Sequence, residues 1–135
     1  MHRPLLLLAA LLVLAPQLGS AQPAKPALYT AEQATAGAVV YSQACAACHG
    51  AQLEGVAAPA LKGSVFGELA AAQGLTVQSL WDVVANTMPQ SDPGSLKPED
   101  NNAVTAYILQ QNGYPAGSTA LAKGAAGLAD TKVTP

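Results

Sequence analysis

Cys45, Ala46, Ala47, Cys48 and His49 bring two thiols and an imidazole together within five residues. On a helix, positions i, i+3 and i+4 share a face, so all three groups can be presented to one side of a flat ring. The order C-x-x-C-H is the attachment pattern of a c-type haem. The thiols add across the two vinyl groups as thioethers, and the adjacent imidazole binds the iron as proximal ligand. Ala46 and Ala47 are small enough to let a ring edge lie close to the backbone.

Other chemistries also use paired thiols. A thioredoxin-like dithiol follows a strand in a βαβ pattern, whereas residues 32–44 read as helix. A structural zinc site takes four ligands. Beyond residue 21 these are the only Cys and His residues in the chain, and neighbouring Cys48 and His49 make an awkward chelate. A plain disulfide at this spacing closes too small a loop to constrain the chain. Haem attachment accounts for all three residues together.

An iron held by His49 on one face has a second axial position. Beyond the initiator the chain contains a single Met, Met88, which lies 39 residues after His49. A lone Met is ordinarily a flexible core filler. With one haem and no competing soft ligand, its thioether becomes the expected sixth ligand. Lys62 and Lys97 are alternatives at high pH only. His/Met ligation raises the reduction potential. It also fills the site that oxygen or peroxide would need, which favours electron transfer over oxygen chemistry.

The elements that must position these groups read as helices. Thr30 opens the first, with Gln33 placed to complete a capping box, and this helix runs to about Ala44. Residues 50–63 contain Gly50, Gly55, Pro59 and Gly63 and read as loop. A short helix spans 65–72, and Thr76 caps another over 77–86 with Leu80, Val83 and Val84 turned inward. Pro98, followed by Glu99 and Asp100, suits the first turn of a last helix that ends near Gln111. Its inward stripe is Ala103, Ala106, Tyr107 and Gln110, with Val104, Ile108 and Gln111 beside it. Asn112 and Gly113 stop it, and Pro115 prevents continuation. No internal repeat and no run of strands is evident.

At the N-terminus, His2 and Arg3 precede an apolar stretch from Leu5 to Ala15, then Pro16 and the small residues Gly19, Ser20 and Ala21. This reads as a secretory signal cleaved after Ala21; an uncleaved anchor is the alternative. The apolar stretch is shorter than the roughly 20 residues that span a bilayer. Export to a periplasm follows as the expectation, with no stable membrane insertion. The division expected is a signal at 1–21, an extended leader at 22–29, a haem domain at 30–115 and a tail at 116–135. The Gly- and Ala-rich tail is open to either wrapping the surface or remaining disordered.

Cleavage would remove Arg3 and take the formal charge from −2 to −3. No basic patch is available for nucleic acid or acidic lipid. Half the residues are hydrophobic, yet many are Ala, and the chain has only six aromatics. So small a core gains from the bulk of a buried ring.

The chain resembles the class I c-type cytochromes. The resemblance rests on Cys45-Ala46-Ala47-Cys48-His49-Gly50, Ala58-Pro59-Ala60-Leu61, Thr87-Met88-Pro89 and Ala106-Tyr107-Ile108-Leu109, across residues 28–115. It implies an all-α, cytochrome c-like fold of several helices around one covalent haem c. Cys45 and Cys48 would be the thioether residues, and His49 and Met88 the axial ligands. The carbonyl of Pro59 would accept from the free N–H of His49 and tune its basicity. The first helix would cross the last with Gly37 and Tyr41 near Tyr107. The Pro93-Gly94-Ser95-Leu96 segment and the 112–117 ending are similar to small cytochromes that accompany pyrroloquinoline-quinone alcohol dehydrogenases. Two features depart from the pattern. Lys97 stands where Ser or Thr would cap the last helix better, and Trp81 lies within a helix, where core packing suits it better than a propionate contact.

The resemblance implies a monomeric one-electron carrier, not an enzyme, that passes electrons from a dehydrogenase or membrane complex to an oxidase or other acceptor. Two rivals share its residues. One is a permanent haem subunit of a quinoprotein dehydrogenase complex. The other is a haem enzyme or gas sensor with an open iron site, which requires Met88 not to bind.

Overall fold

Thr30 ends an extended lead-in and starts the first helix in a computed structural model that describes residues 24–134. The expected signal at 1–21 lies outside the described residues. The Thr30 hydroxyl accepts from the Gln33 backbone N–H at 3.3 Å, and the Gln33 side chain accepts from the Thr30 N–H at 3.2 Å. This reciprocal pair satisfies two otherwise orphaned donors of α1 (Ala31–Ala44). Cys45 then leaves the helical path at φ −122°, and one further turn, α2 (Ala46–His49), follows it. Gly50, at φ 86°, ends that turn in a conformation that only glycine adopts readily.

Three longer helices complete the described set. They are α3 (Gly63–Ala72), α4 (Val77–Thr87) and α5 (Pro98–Gln111). The third begins two residues before the expected Val65. Thr76 caps α4 by accepting from the Ser79 N–H, with the Ser79 hydroxyl reaching back. Pro98 opens α5, and Lys97 makes no side-chain cap, as its chemistry implies. Among the described residues there is no strand, only an isolated antiparallel bridge between Thr76 and Lys132. Among the described residues the fold is all-α.

The frame is the crossing of α1 and α5. Gly37 lets the two backbones approach: a Cβ there would overlap the carbonyl of Ala103. One turn on, the Tyr41 and Tyr107 rings meet with centroids 5.4 Å apart and a 52° tilt, a favourable aromatic geometry. On another side, α4 packs against α5, and the Trp81 indole donates to Asn102 at 2.8 Å. Trp81 is therefore a buried packing residue with its polar edge satisfied.

Two faces differ from expectation. On α4 the buried set is Val77, Leu80, Trp81 and Val84, while Val83 is 44% exposed. On α5, Leu109 is buried while Gln110 and Gln111 are exposed, and burial runs without a break from Ala103 to Ala106. A helix covered by neighbours on more than one side buries most of its circumference, so a single stripe describes it poorly.

The tail wraps the core. Leu121, Leu128 and Val133 are each 1–2% exposed. Gln33 grips the Leu121 backbone at both ends, donating to its carbonyl at 2.8 Å and accepting from its N–H at 2.7 Å. At the start of α4, the N–H groups of Val77 and Gln78 donate to the carbonyls of Thr131 and Leu128. The lead-in joins the same side: Lys25 donates to the carbonyls of Asn112 and Thr134 and lies over the Tyr114 ring.

Candidate functional site

The thiol pair and His49 are fixed by backbone hydrogen bonds from both directions. The Cys45 carbonyl accepts from the N–H groups of Cys48 and His49. The Cys48 carbonyl gathers the N–H groups of Val56, Ala57 and Ala58 at 3.2, 3.0 and 3.0 Å, so the loop after Gly50 folds back over α2. The Gly55 N–H also donates to the His49 carbonyl at 2.7 Å. From α1, the Tyr41 hydroxyl donates to the Gly50 carbonyl at 2.7 Å. Burial, with smaller contributions from Cys45, Tyr107 and Glu54, pushes that hydroxyl up to about 12, so it stays a donor at neutral pH.

Glu54 braces the turn. Its carboxylate accepts from the Gln52 N–H at 2.7 Å. Hydrogen bonds from its own N–H and that of Gln52 hold the carboxyl below its usual value, with a smaller contribution from Lys62.

The imidazole of His49 makes one directed contact. Its Nδ1 lies 2.8 Å from the Pro59 carbonyl oxygen. A carbonyl only accepts, so Nδ1 is the donor, and in the neutral imidazole Nε2 then keeps its lone pair. That tautomer is the one a metal-ligating histidine needs when an outer partner orients it.

Cys45, Cys48, His49 and Met88 all line one cavity of about 790 Å³. Its size falls within the roughly 300–1,000 Å³ of cofactor and small-molecule sites. Leu61, Leu80, Val84, Val104 and Ile108 supply apolar wall from a loop, α4 and α5. The exposed face of Val83 is accounted for here, because Val83 also lines this cavity. Lys62 and Lys97, the alternative ligands, do not line it. Met88 caps the end of α4, where its N–H donates to Val84, and so reaches the cavity from a different element than His49.

The residues fit a covalent haem by their chemistry. Both cysteines are free thiols, and burial pushes that of Cys45 upward. They share the apolar cavity with a nitrogen lone pair from α2 and a thioether from the α4 terminus. No group of three or more His, Cys, Asp and Glu residues capable of holding a bare metal ion occurs among the described residues.

Sequence reasoning missed two supports. Asn112, assigned only as a helix stop, donates to the carbonyl of Leu61 at 2.8 Å and accepts from the Gly63 N–H. It thereby ties a cavity-lining loop to the end of α5. Tyr41 was placed at the helix crossing, but its bond to Gly50 also holds the thiol turn. The signal available for Asn112 was its polar side chain at the end of an apolar helix.

The family model described as cytochrome c matches residues 34–112. Among solved structures, the chain is similar to the sulfane dehydrogenase SoxCD from Paracoccus pantotrophus. The TM-score is 0.57 at 23% identity, over 74% of this chain and 52% of that one, and at that identity the likeness concerns fold alone. Thiosulfate dehydrogenase (TsdBA) from Marichromatium purpuratum, in its as-isolated form, aligns at 33% identity and a TM-score of 0.46. That alignment covers 63% of this chain and 20% of that one. The chain thus spans about half the length of the first of these and a fifth of the second. No curated protein matches it.

Proposed function

The chain belongs to the cytochrome c family, and from that premise we propose that it is a one-electron carrier in which Cys45 and Cys48 hold a single haem c and His49 and Met88 are its axial ligands. Membership of the family implies electron transfer through a c-type haem. The residue roles rest on one observation above all: two thiols, an oriented imidazole and the lone thioether line the same cavity. The haem supplies an iron centre that gains or loses one electron.

The chain's own residues do the remaining work. Pro59 holds the His49 ring in one tautomer and one orientation. Met88 supplies a soft ligand that favours ferrous iron and raises the potential. The apolar walls from α4 and α5 would give a bound ring a low-dielectric surround.

The proposed setting is a periplasm, reached through a signal cleaved after Ala21. The proposed organisation is a haem domain over 30–115, preceded by a short leader at 22–29 and followed by the tail at 116–135. The proposed donor is a dehydrogenase of the pyrroloquinoline-quinone alcohol class, because the Pro93-Gly94-Ser95-Leu96 segment and the 112–117 ending are similar to small cytochromes that accompany such enzymes. No helix among the described residues is long and apolar enough to cross a membrane.

Visible spectra of the purified holoprotein, oxidised and reduced, together with its intact mass, test this reading. One added haem mass, and its loss when Cys45 and Cys48 are both replaced by Ala, are the expected results. A mass equal to that of the polypeptide alone, with no Soret band, defeats it.

A further inference from the structure

Charge is absent from three segments that supply most of the cavity lining. Residues 33–53, 55–61 and 83–91 contain no Asp, Glu, Lys or Arg. None of the residues lining the cavity carries one of these charges. The first charges beyond these segments are Glu32, Glu54, Lys62, Asp82 and Asp92, and none of them lines the cavity. Glu54, the charge nearest in sequence to the thiol turn, is folded back onto the Gln52 N–H. Apolar surface stands in the place of charge: Val56, next to the lining residues Ala57 and Ala58, is 74% exposed.

We propose that the mouth of this cavity is a docking surface for a redox protein whose own contact patch is uncharged and apolar. The inference rests on the electron-carrier reading and adds the chemistry of the partner. A charged patch brought against such a mouth loses hydration and finds no opposite charge to replace it. An uncharged apolar patch loses nothing of that kind and gains from burial of Val56 and its neighbours. Partner choice at this face therefore comes from shape and apolar contact, and encounter proceeds without electrostatic steering. Steered encounters slow steeply as salt is added, whereas this one should be nearly indifferent to it.

A second copy of the holoprotein presents just such a patch, so electron self-exchange is the probe. One electron leaves a reduced copy and enters an oxidised copy, with no net change in the mixture. The rate constant is read from NMR line broadening in mixtures of oxidised and reduced protein. Between about 10 mM and about 500 mM ionic strength, the wild-type rate should change by less than about fivefold.

A double variant, Val56→Lys with Gln90→Lys, places positive charge on the cavity lining at Gln90 and beside the lining residue Ala57 at Val56, both exposed positions. A control, Ser118→Lys with Ala120→Lys, adds the same net charge on the exposed tail. At low salt the mouth variant should exchange at least about threefold more slowly than the control and approach it at high salt. A wild-type rate that changes fivefold or more with salt overturns the proposal. So does a mouth variant within threefold of the control at low salt. Protein that carries no haem by its Soret band removes the carrier reading, and this surface with it. Haem-loaded protein with salt-steered exchange leaves that reading intact and removes only the uncharged partner.

Discussion

Gly37 of α1 lies so close to the carbonyl of Ala103 on α5 that no methyl group fits between them. A Cβ at this position would also stand 2.9 Å from the Cβ of Tyr107. The obstacle is backbone, which cannot swing aside as a flexible side chain can. Gly37→Ala should therefore destabilise the protein, although Ala is the better helix former by about 1 kcal/mol. Overpacking of this kind costs about 1–3 kcal/mol and more where backbone must shift. The expected net loss is about 2 kcal/mol, read as a lower urea midpoint with an unchanged slope. A midpoint equal to wild type would show that the helices part freely at this crossing.

Met88 stands at the cap of α4 and on the cavity wall, and Lys62 and Lys97 stay off that wall. Met88→Ala should keep the haem covalently attached, because Cys45 and Cys48 are untouched. It should open the sixth position, so that carbon monoxide binds the reduced protein rapidly and stoichiometrically. The potential should fall by on the order of 0.1 V, a modest part of the roughly 0.8 V range that axial ligands command. Rapid carbon monoxide binding to the wild-type protein, or an unchanged potential in the variant, would remove Met88 from the ligand set.

The parts of this fold that local chemistry dictates were legible in the sequence. Thr30 with Gln33, Thr76, and Pro98 with Glu99 and Asp100 announce helix starts through capping and dipole effects that need no tertiary partner. The C-x-x-C-H spacing is equally plain, and the structure places all three of its chemical groups on one cavity. What was not legible depends on neighbours distant in sequence. Val83 has the periodicity of a core residue but faces the cavity, whose other walls come from α1, α2, α5 and two loops. Gln110 lies on the expected α5 stripe but is exposed. Leu121, Leu128 and Val133 are isolated apolar residues among Gly, Ala and Thr, with neither helical nor strand periodicity. Their places are fixed by hydrogen bonds to the Gln33 side chain of α1, to the start of α4 and to Leu75 before it, which no periodicity encodes.

Tyr29 gives the fold an alkaline weakness. Its hydroxyl is buried and donates to the Tyr114 carbonyl at 2.5 Å. Burial pushes it above its ordinary value of 10.0. Folding therefore favours the protonated phenol. The associated stability is fully present below about pH 10 and is lost as the pH rises through the raised folded value. Tyr29→Phe should lower stability at pH 7 by about 1–3 kcal/mol, since the buried Tyr114 carbonyl loses its donor. The variant should lose less additional stability than wild type above pH 10. Urea midpoints measured at pH 7 and across the alkaline range check both halves. Parallel alkaline losses in the two proteins would show that Tyr29 is not the titrating group.

The tail should behave as core and not as appendage. Leu128 is 1% exposed, and its carbonyl accepts from the Gln78 N–H at the start of α4. Gln33 holds Leu121 through both backbone groups while also completing the cap of α1. Leu128→Ala should cost about 2–5 kcal/mol, as large-to-small changes in packed interiors do. Gln33→Ala leaves the part-buried Leu121 N–H and carbonyl without their partner and also removes a cap bond, so it should cost about 1–3 kcal/mol. The two sites share the tail, so the double variant should lose less than the sum of the single losses once either change has loosened it. Neither residue lines the cavity that Cys45, Cys48, His49 and Met88 share, so the visible spectrum and the potential of the folded holoprotein should stay unchanged. Denaturation midpoints for the three variants, paired with redox titration, separate these outcomes. A Leu128→Ala protein as stable as wild type would show that residues beyond Ala116 contribute nothing to the packed core. A stability loss accompanied by a shifted potential would show instead that the tail supports the haem cavity.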